Sequence, residues 1–143
     1  MFETQIAPYL SDLQPEGIYS SMVKVCAIGE SRAETMVADL MDAQTNPTLA
    51  PYAKKPEKYI LRVTAKAKDE ESAKCLMAPM LEELKNRFGD HIYTTKEEVT
   101  LEEAVIQMLE ERKMTVTTAE SCTGGLLCGR LVKCAGCVPV FFK

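Results

Sequence analysis

No apolar run in this chain approaches the ~20 residues that a helix needs to cross a bilayer. The first residues, Met1-Phe2-Glu3-Thr4-Gln5, lack the basic and apolar blocks of a secretory signal, so a cytoplasmic location is expected. Positive charge is not in excess: the net charge of −4 argues against broad electrostatic attraction to nucleic acid. There is a single histidine, His91, and one CxxC, Cys134-Ala135-Gly136-Cys137, with no second pair. A tetrahedral zinc site is therefore short of ligands. Repeats and low-complexity tracts are absent, and neither a metal nor a cofactor is expected.

Without a signal peptide, the six cysteines read as reduced thiols rather than a disulfide framework. Cys26 and Cys75 fall at apolar positions of a strand and a helix, where a free thiol behaves as a small hydrophobe. Cys134 and Cys137 follow a helix instead of opening one, which disfavours a thioredoxin-like role and leaves them as incidental thiols. With 46% apolar and 27% charged residues over 143 positions, the chain has the makeup of a globular protein. That length suits one ordinary domain, or a small domain with pieces of others.

Residues 1–16 carry Phe2, Ile6, Leu10 and Leu13 at helical spacing, with Pro8 interrupting and Pro15-Glu16-Gly17 ending the segment. They read as a helix or linker arm. Residues 17–95 spell β-α-β-β-α-β. The first strand is predicted over 18–28, with Val23 and Val25 alternating with Lys24 and Cys26. Gly29-Glu30 turns the chain, and Ser31-Arg32-Ala33-Glu34 fits a capping box. The helix that follows places Ala33, Met36, Val37, Leu40 and Met41 on one face.

Thr45-Asn46-Pro47 ends that helix, and 48–52 form a short edge strand because Pro47 and Pro51 exclude a central one. After an exposed turn at 54–57, Tyr59, Leu61, Val63 and Ala65 alternate with Arg62, Thr64 and Lys66 in a half-buried strand. Asp69-Glu70-Glu71 opens a helix with negative charge where the dipole favours it. Its predicted inner face is Ala73, Leu76, Met77, Met80, Leu81, Leu84 and Phe88, with a kink at Pro79 and a C-terminal cap at Gly89. A last short strand covers 91–94, led by His91 as a solvated surface side chain. The fold class is α+β: a split, ferredoxin-like, two-layer domain with two helices on one face of an antiparallel sheet.

Residues 96–143 read as α-β-α, the truncated opening of an α/β domain. Thr100-Leu101-Glu102-Glu103 is a second capping box, and Leu101, Ala104, Val105, Met108 and Leu109 are expected to face inward. A strand over 114–119 and a helix over 123–133 follow. A lone strand between two helices cannot bury both its faces, so Leu101, Val105, Leu109, Val116, Leu126, Leu127 and Val132 should leave a sizeable apolar surface. Docking on the preceding domain, exchange with a second copy through residues 97–143, or disorder would each answer that surface.

Chemistry concentrates at Thr117-Thr118-Ala119-Glu120-Ser121-Cys122-Thr123-Gly124-Gly125, where a strand runs into a helix. Helix-start N–H groups are unpaired and carry partial positive charge, which suits an anion or an attacking oxygen. Ser121 is a candidate nucleophile, although a serine hydroxyl is weak until a base takes its proton. Its plainer role is a helix cap, which the local sequence favours. The glycine pair admits close backbone approach by a ligand or tight helix packing. Gly29-Glu30-Ser31-Arg32 lacks the second glycine of an RNA-clamping Gly-x-x-Gly, and Glu30 repels phosphate, so nucleic acid is not expected there.

Three stretches together carry a resemblance. Ala27-Ile28-Gly29-Glu30-Ser31, Thr45-Asn46-Pro47-Thr48-Leu49-Ala50-Pro51-Tyr52-Ala53 and Ala119-Glu120-Ser121-Cys122-Thr123-Gly124-Gly125 resemble, in order and separation, the CinA family of bacterial competence/damage-inducible proteins. The resemblance implies three parts: an N-terminal domain like molybdopterin-binding proteins, linked in some members to ADP-ribose hydrolysis, a KH-like middle domain, and a C-terminal amidohydrolase. The last resembles enzymes of pyridine-nucleotide salvage that deamidate nicotinamide mononucleotide. On that plan 1–16 belong to an upstream domain, 17–95 are the KH-like domain, and 96–143 begin the third.

The resemblance makes Ser121 the nucleophile and Thr123, Gly124 and Gly125 parts of the substrate-binding loop. It implies activating Tyr and Lys side chains that lie beyond Lys143, and Cys134–Phe142 departs from the family's Pro-Gly-Ala-Ser pattern. The expectation is an incomplete amidohydrolase, inactive alone and serving as a KH-like connector and association module. Single-stranded nucleic-acid binding by the KH-like domain is the alternative.

Overall fold

The structure is a computed structural model that describes residues 2–9, 16–54 and 57–141. Its chain divides into two compact units, residues 1–97 and 98–143. A helical turn at Phe2–Ile6 opens the first; Leu10, Leu13 and Pro15 of the predicted arm lie outside the described residues.

In the first unit β1 (Gly17–Val25), α1 (Glu30–Asp42), β2 (Thr48–Lys54), β3 (Glu57–Ala67), α2 (Glu70–Phe88) and β4 (Ile92–Thr94) follow in the predicted order. The sheet runs β2-β3-β1-β4, antiparallel throughout, which is the split α+β arrangement. β1 and β3 pair without interruption from Gly17↔Ala67 to Val25↔Tyr59. That register puts Val23, Val25, Leu61, Val63 and Ala65 on one face, where α1 and α2 cover them. Each fully buried Val or Leu there contributes about 1.5–3 kcal/mol of apolar transfer.

The helices start and pack by different devices. Asp69 caps α2 by accepting the Ser72 N–H at 2.7 Å. The box expected at Ser31 does not form. α1 starts at Glu30, with Gly29 in the cap position and no side-chain cap, so Ser31 lies inside the first turn where its hydroxyl cannot serve as a cap. On the inner face Ala33 and Val37 are buried and Met36, Leu40 and Met41 pack beside them. Arg87 of α2 donates to the Met36 carbonyl at 2.7 Å, to Asp39 at 2.8 Å and to Glu83 at 2.7 Å, tying the two helices together.

Besides the Ser31 box, three expectations in this unit need correction. Leu76 is 40% exposed, lining an open groove with Leu40, Pro47, Pro79 and Met80. α2 runs as one element from Glu70 to Phe88 with Pro79 inside it, where the ring removes one N–H from the helix ladder. Lys24, on the face expected to be polar, is 2% exposed, and its ammonium donates to the Glu97 carbonyl at 2.7 Å. His91 is not a freely solvated side chain: its Nδ1 lies 3.1 Å from the Cys26 carbonyl, beside a Cys26 N–H bond to the His91 carbonyl. At the far end of α2, Gly89 adopts φ +48°, a conformation that favours glycine, and its N–H closes on Lys85. Residues 55 and 56 of the expected turn lie outside the described residues.

The second unit holds α3 (Leu101–Glu111) and α4 (Leu126–Leu131), with a short 3₁₀ turn at Val138–Val140. Thr100 forms the predicted capping box with Glu103 in both directions. The expected strand over 114–119 is reduced to one parallel bridge, Val116↔Phe141, with the Val116 N–H on the Val140 carbonyl at 2.7 Å. A strand exists only through its ladder, and the described residues offer these positions one partner.

α4 begins at Leu126 rather than 123, because Gly124 and Gly125 take φ of +60° and +84° and hold the chain out of the helix. The core of this unit is Ile106, Leu131, Cys134, Cys137 and Val140. Both thiols of the CxxC are thus buried hydrophobes rather than incidental groups, and burial pushes the Cys134 thiol up. Ile106, outside the predicted inner face, is buried, whereas Leu101, Val105 and Met108 are exposed. No helix among the described residues is long and apolar enough to cross a membrane.

Candidate active-site loop

The loop that joins the Val116 bridge to α4 carries every candidate residue read from the sequence. Its path is set by two tight turns. The Gly124 N–H bonds the Ser121 carbonyl at 3.2 Å, and the Leu126 N–H bonds the Thr123 carbonyl at 3.1 Å. Positive φ at both glycines lets these turns follow one another directly. Ser121, Thr123, Gly124 and Gly125 come together on this loop, and all four are exposed.

Ser121 does not cap α4. The cap position belongs to Gly125, in a left-handed conformation and with no side-chain bond. The capping work falls to Glu120, which the sequence reading passed over. Its Oε2 accepts the Leu127 N–H at 3.0 Å and its Oε1 accepts the Cys128 N–H at 2.9 Å. These bonds, with smaller help from the Thr123 and Thr118 hydroxyls, hold the Glu120 carboxyl below the usual glutamate range. Spacing along the chain gives no signal for it, since the reach depends on the backbone path. The carboxylate reaches N–H groups seven and eight residues on because the left-handed glycines fold the loop back.

The consequences for chemistry are direct. The first free donors of α4 are already occupied by a carboxylate of the same chain. Ser121 Oγ has no side-chain hydrogen bond among the described residues, so nothing present raises its nucleophilicity. A separate cavity of about 300 Å³ is lined by Glu98, Glu103 and Glu110, an acidic wall that repels a phosphate. No group of three or more His, Cys, Asp or Glu among the described residues is arranged to hold a metal ion.

The loop and the split α+β unit both have counterparts in known proteins. Residues 20–94 match the profile of the damage-inducible protein CinA KH domain. Residues 98–143 match that of the CinA C-terminal domain. The chain belongs to the CinA family. A CinA-like protein of Dictyoglomus turgidum is 49% identical over 99% of this chain and 34% of its own length. A putative competence-damage inducible protein of Clostridium beijerinckii is 46% identical over the whole chain and 34% of its own. One from Clostridium perfringens is 48% identical with the same coverage. The chain thus spans about a third of the length of the curated CinA relatives it matches.

Proposed function

We propose that this chain is part of a CinA-family amidohydrolase acting on nicotinamide mononucleotide, and that by itself it serves as a KH-like connector and association module rather than an enzyme. In the active form the Ser121 hydroxyl adds to the carboxamide carbon and ammonia leaves. Water then releases nicotinate mononucleotide. Thr123, Gly124 and Gly125 hold the nucleotide beside that serine. The observation that supports the inactive reading is the state of Ser121: exposed, with no side chain among the described residues bonded to its oxygen. A hydroxyl in that state retains its ordinary, weak nucleophilicity.

Association is proposed through residues 97–143. Leu126 is 64% exposed, Leu127 54% and Val132 50%, and the stripe Leu101, Val105 and Met108 of α3 is also open. Surfaces of that kind are covered by partners. The experiment is a titration with nicotinamide mononucleotide in which binding and ammonia release are read together. The chain is expected to release no ammonia at rates typical of enzymes, roughly 1 s⁻¹ or above. The full-length Dictyoglomus turgidum relative is expected to release it and to lose that activity when the serine aligned with Ser121 is changed to alanine. Turnover by the chain alone would overturn the inactive reading, and a silent relative would overturn the substrate.

A further inference from the structure

Glu120 is a half-buried loop carboxylate that accepts two backbone hydrogen bonds from the helix that follows. Its two oxygens are divided between two backbone donors, Oε2 to Leu127 at 3.0 Å and Oε1 to Cys128 at 2.9 Å. Both donors belong to the first turn of α4. A single side chain therefore joins the start of the loop to the helix leaving it. Ser121 is its immediate neighbour in sequence, so the backbone that aims Ser121 is clamped at the residue before it. Charge-assisted bonds of this kind are roughly twice as strong as neutral ones.

We infer that Glu120 is the positioning residue for Ser121: its carboxylate closes residues 121–126 into a fixed loop and so sets where the Ser121 hydroxyl stands. The inference rests on the proposed nucleophilic role of Ser121 for its meaning but not for its geometry. Glu120 touches no substrate, and it moves no proton. It is ionised in the working range, because its N–H partners favour the charged form and its carboxyl titrates below the usual glutamate range. The geometry also restricts the chemistry of the loop. The Leu127 and Cys128 N–H groups are taken, so an anionic substrate group must find its donors elsewhere on the loop.

The test compares the chain with its Glu120→Gln and Glu120→Ala variants by NMR. Amide exchange is read at Leu127 and Cys128, and backbone order over 121–126. In Glu120→Ala both amides are expected to exchange about tenfold faster or more, and the loop to lose order. Glu120→Gln keeps one acceptor oxygen for two donors, so it is expected to fall between. Acidification of the unchanged chain should shift the Leu127 and Cys128 amide protons together below the usual glutamate range, and Glu120→Gln should abolish that titration. That pH signature assigns the two bonds to Glu120, and order over 121–126 separates positioning of Ser121 from capping alone. Amides of α3 and of the β1–β3 ladder serve as controls for folding; should Glu120→Ala unfold residues 98–141, Glu120→Gln decides. Unchanged exchange at both amides would overturn the inference. Faster exchange with undisturbed order over 121–126 would also overturn it, leaving Glu120 a helix cap and nothing more. Ammonia release is read separately, so failure of the amidohydrolase reading leaves this outcome intact.

Discussion

Tyr59 shows how one side chain couples this fold to pH. Its phenol oxygen is buried with no hydrogen-bond partner among the described residues. Burial, with help from Glu34 and Glu30 nearby, pushes its pKa up to about 12. The folded chain therefore keeps the Tyr59 proton where the unfolded chain, with an ordinary value of 10.0, releases it. That contribution is fully present below pH 10 and is lost as the pH rises towards 12. Tyr59→Phe is expected to remove this alkaline slope. It should leave stability at neutral pH unchanged or raised by up to about 1 kcal/mol, since an unpaired buried hydroxyl is removed. Urea midpoints at neutral and alkaline pH check both. Asp39 has the opposite sign. Its bond to Arg87 holds its carboxyl below the usual range, so its contribution is present above pH 3.8 and lost as acid protonates the folded form. Arg87→Ala is expected to move acid unfolding, followed by circular dichroism, to higher pH.

At the scale of elements, caps that act within four residues could be read from the sequence, and those that act further away could not. Thr100 and Glu103 close their box because both groups belong to one turn. Thr100→Ala is expected to cost α3 about 1 kcal/mol, seen as faster amide exchange at Ala104 and its neighbours, with the β1–β3 ladder unaffected. Ser31 had the same pattern and made no box, because α1 began two residues earlier than the pattern requires. Glu120 acts seven and eight residues away, and its reach depends on two left-handed glycines that no periodicity announces. The inner face of α3 held at Ala104 and Leu109 and missed Ile106 for a related reason. Its sequence is apolar on two sides, and only packing on Leu131, Cys134 and Val140 selects the side that holds Ile106. Residues 114–119 have strand-like composition, yet a strand also needs a neighbour, and Val116 finds a single bridge.

For the whole molecule the two units lead to different expectations. The first carries a continuous core under its own sheet, so residues 16–97 alone are expected to unfold in one cooperative transition. Gradual loss of structure in urea, without a sigmoidal transition, would contradict this. The second unit exposes Leu101, Val105, Met108, Leu126 and Leu127. Sedimentation is expected to show concentration-dependent association, weakened in Val105→Lys and Leu127→Lys. The KH-like unit is expected to show no salt-dependent shift with single-stranded RNA, given the net charge of −4 and Glu30 at the start of α1.

By itself the sequence determined the order of the six elements over 17–94, most of the face each presents to the core, with Leu76 and Lys24 the exceptions, and the family to which its motifs belong. Those properties are local: alternation and helical spacing record which side of an element is apolar, whatever lies opposite. Only the tertiary structure decided that Glu120 rather than Ser121 completes α4, that Cys134 and Cys137 are core, and that Ile106 turns inward. Each of these depends on which distant group a backbone path brings within hydrogen-bond or van der Waals reach, and periodicity along the chain carries no record of that distance.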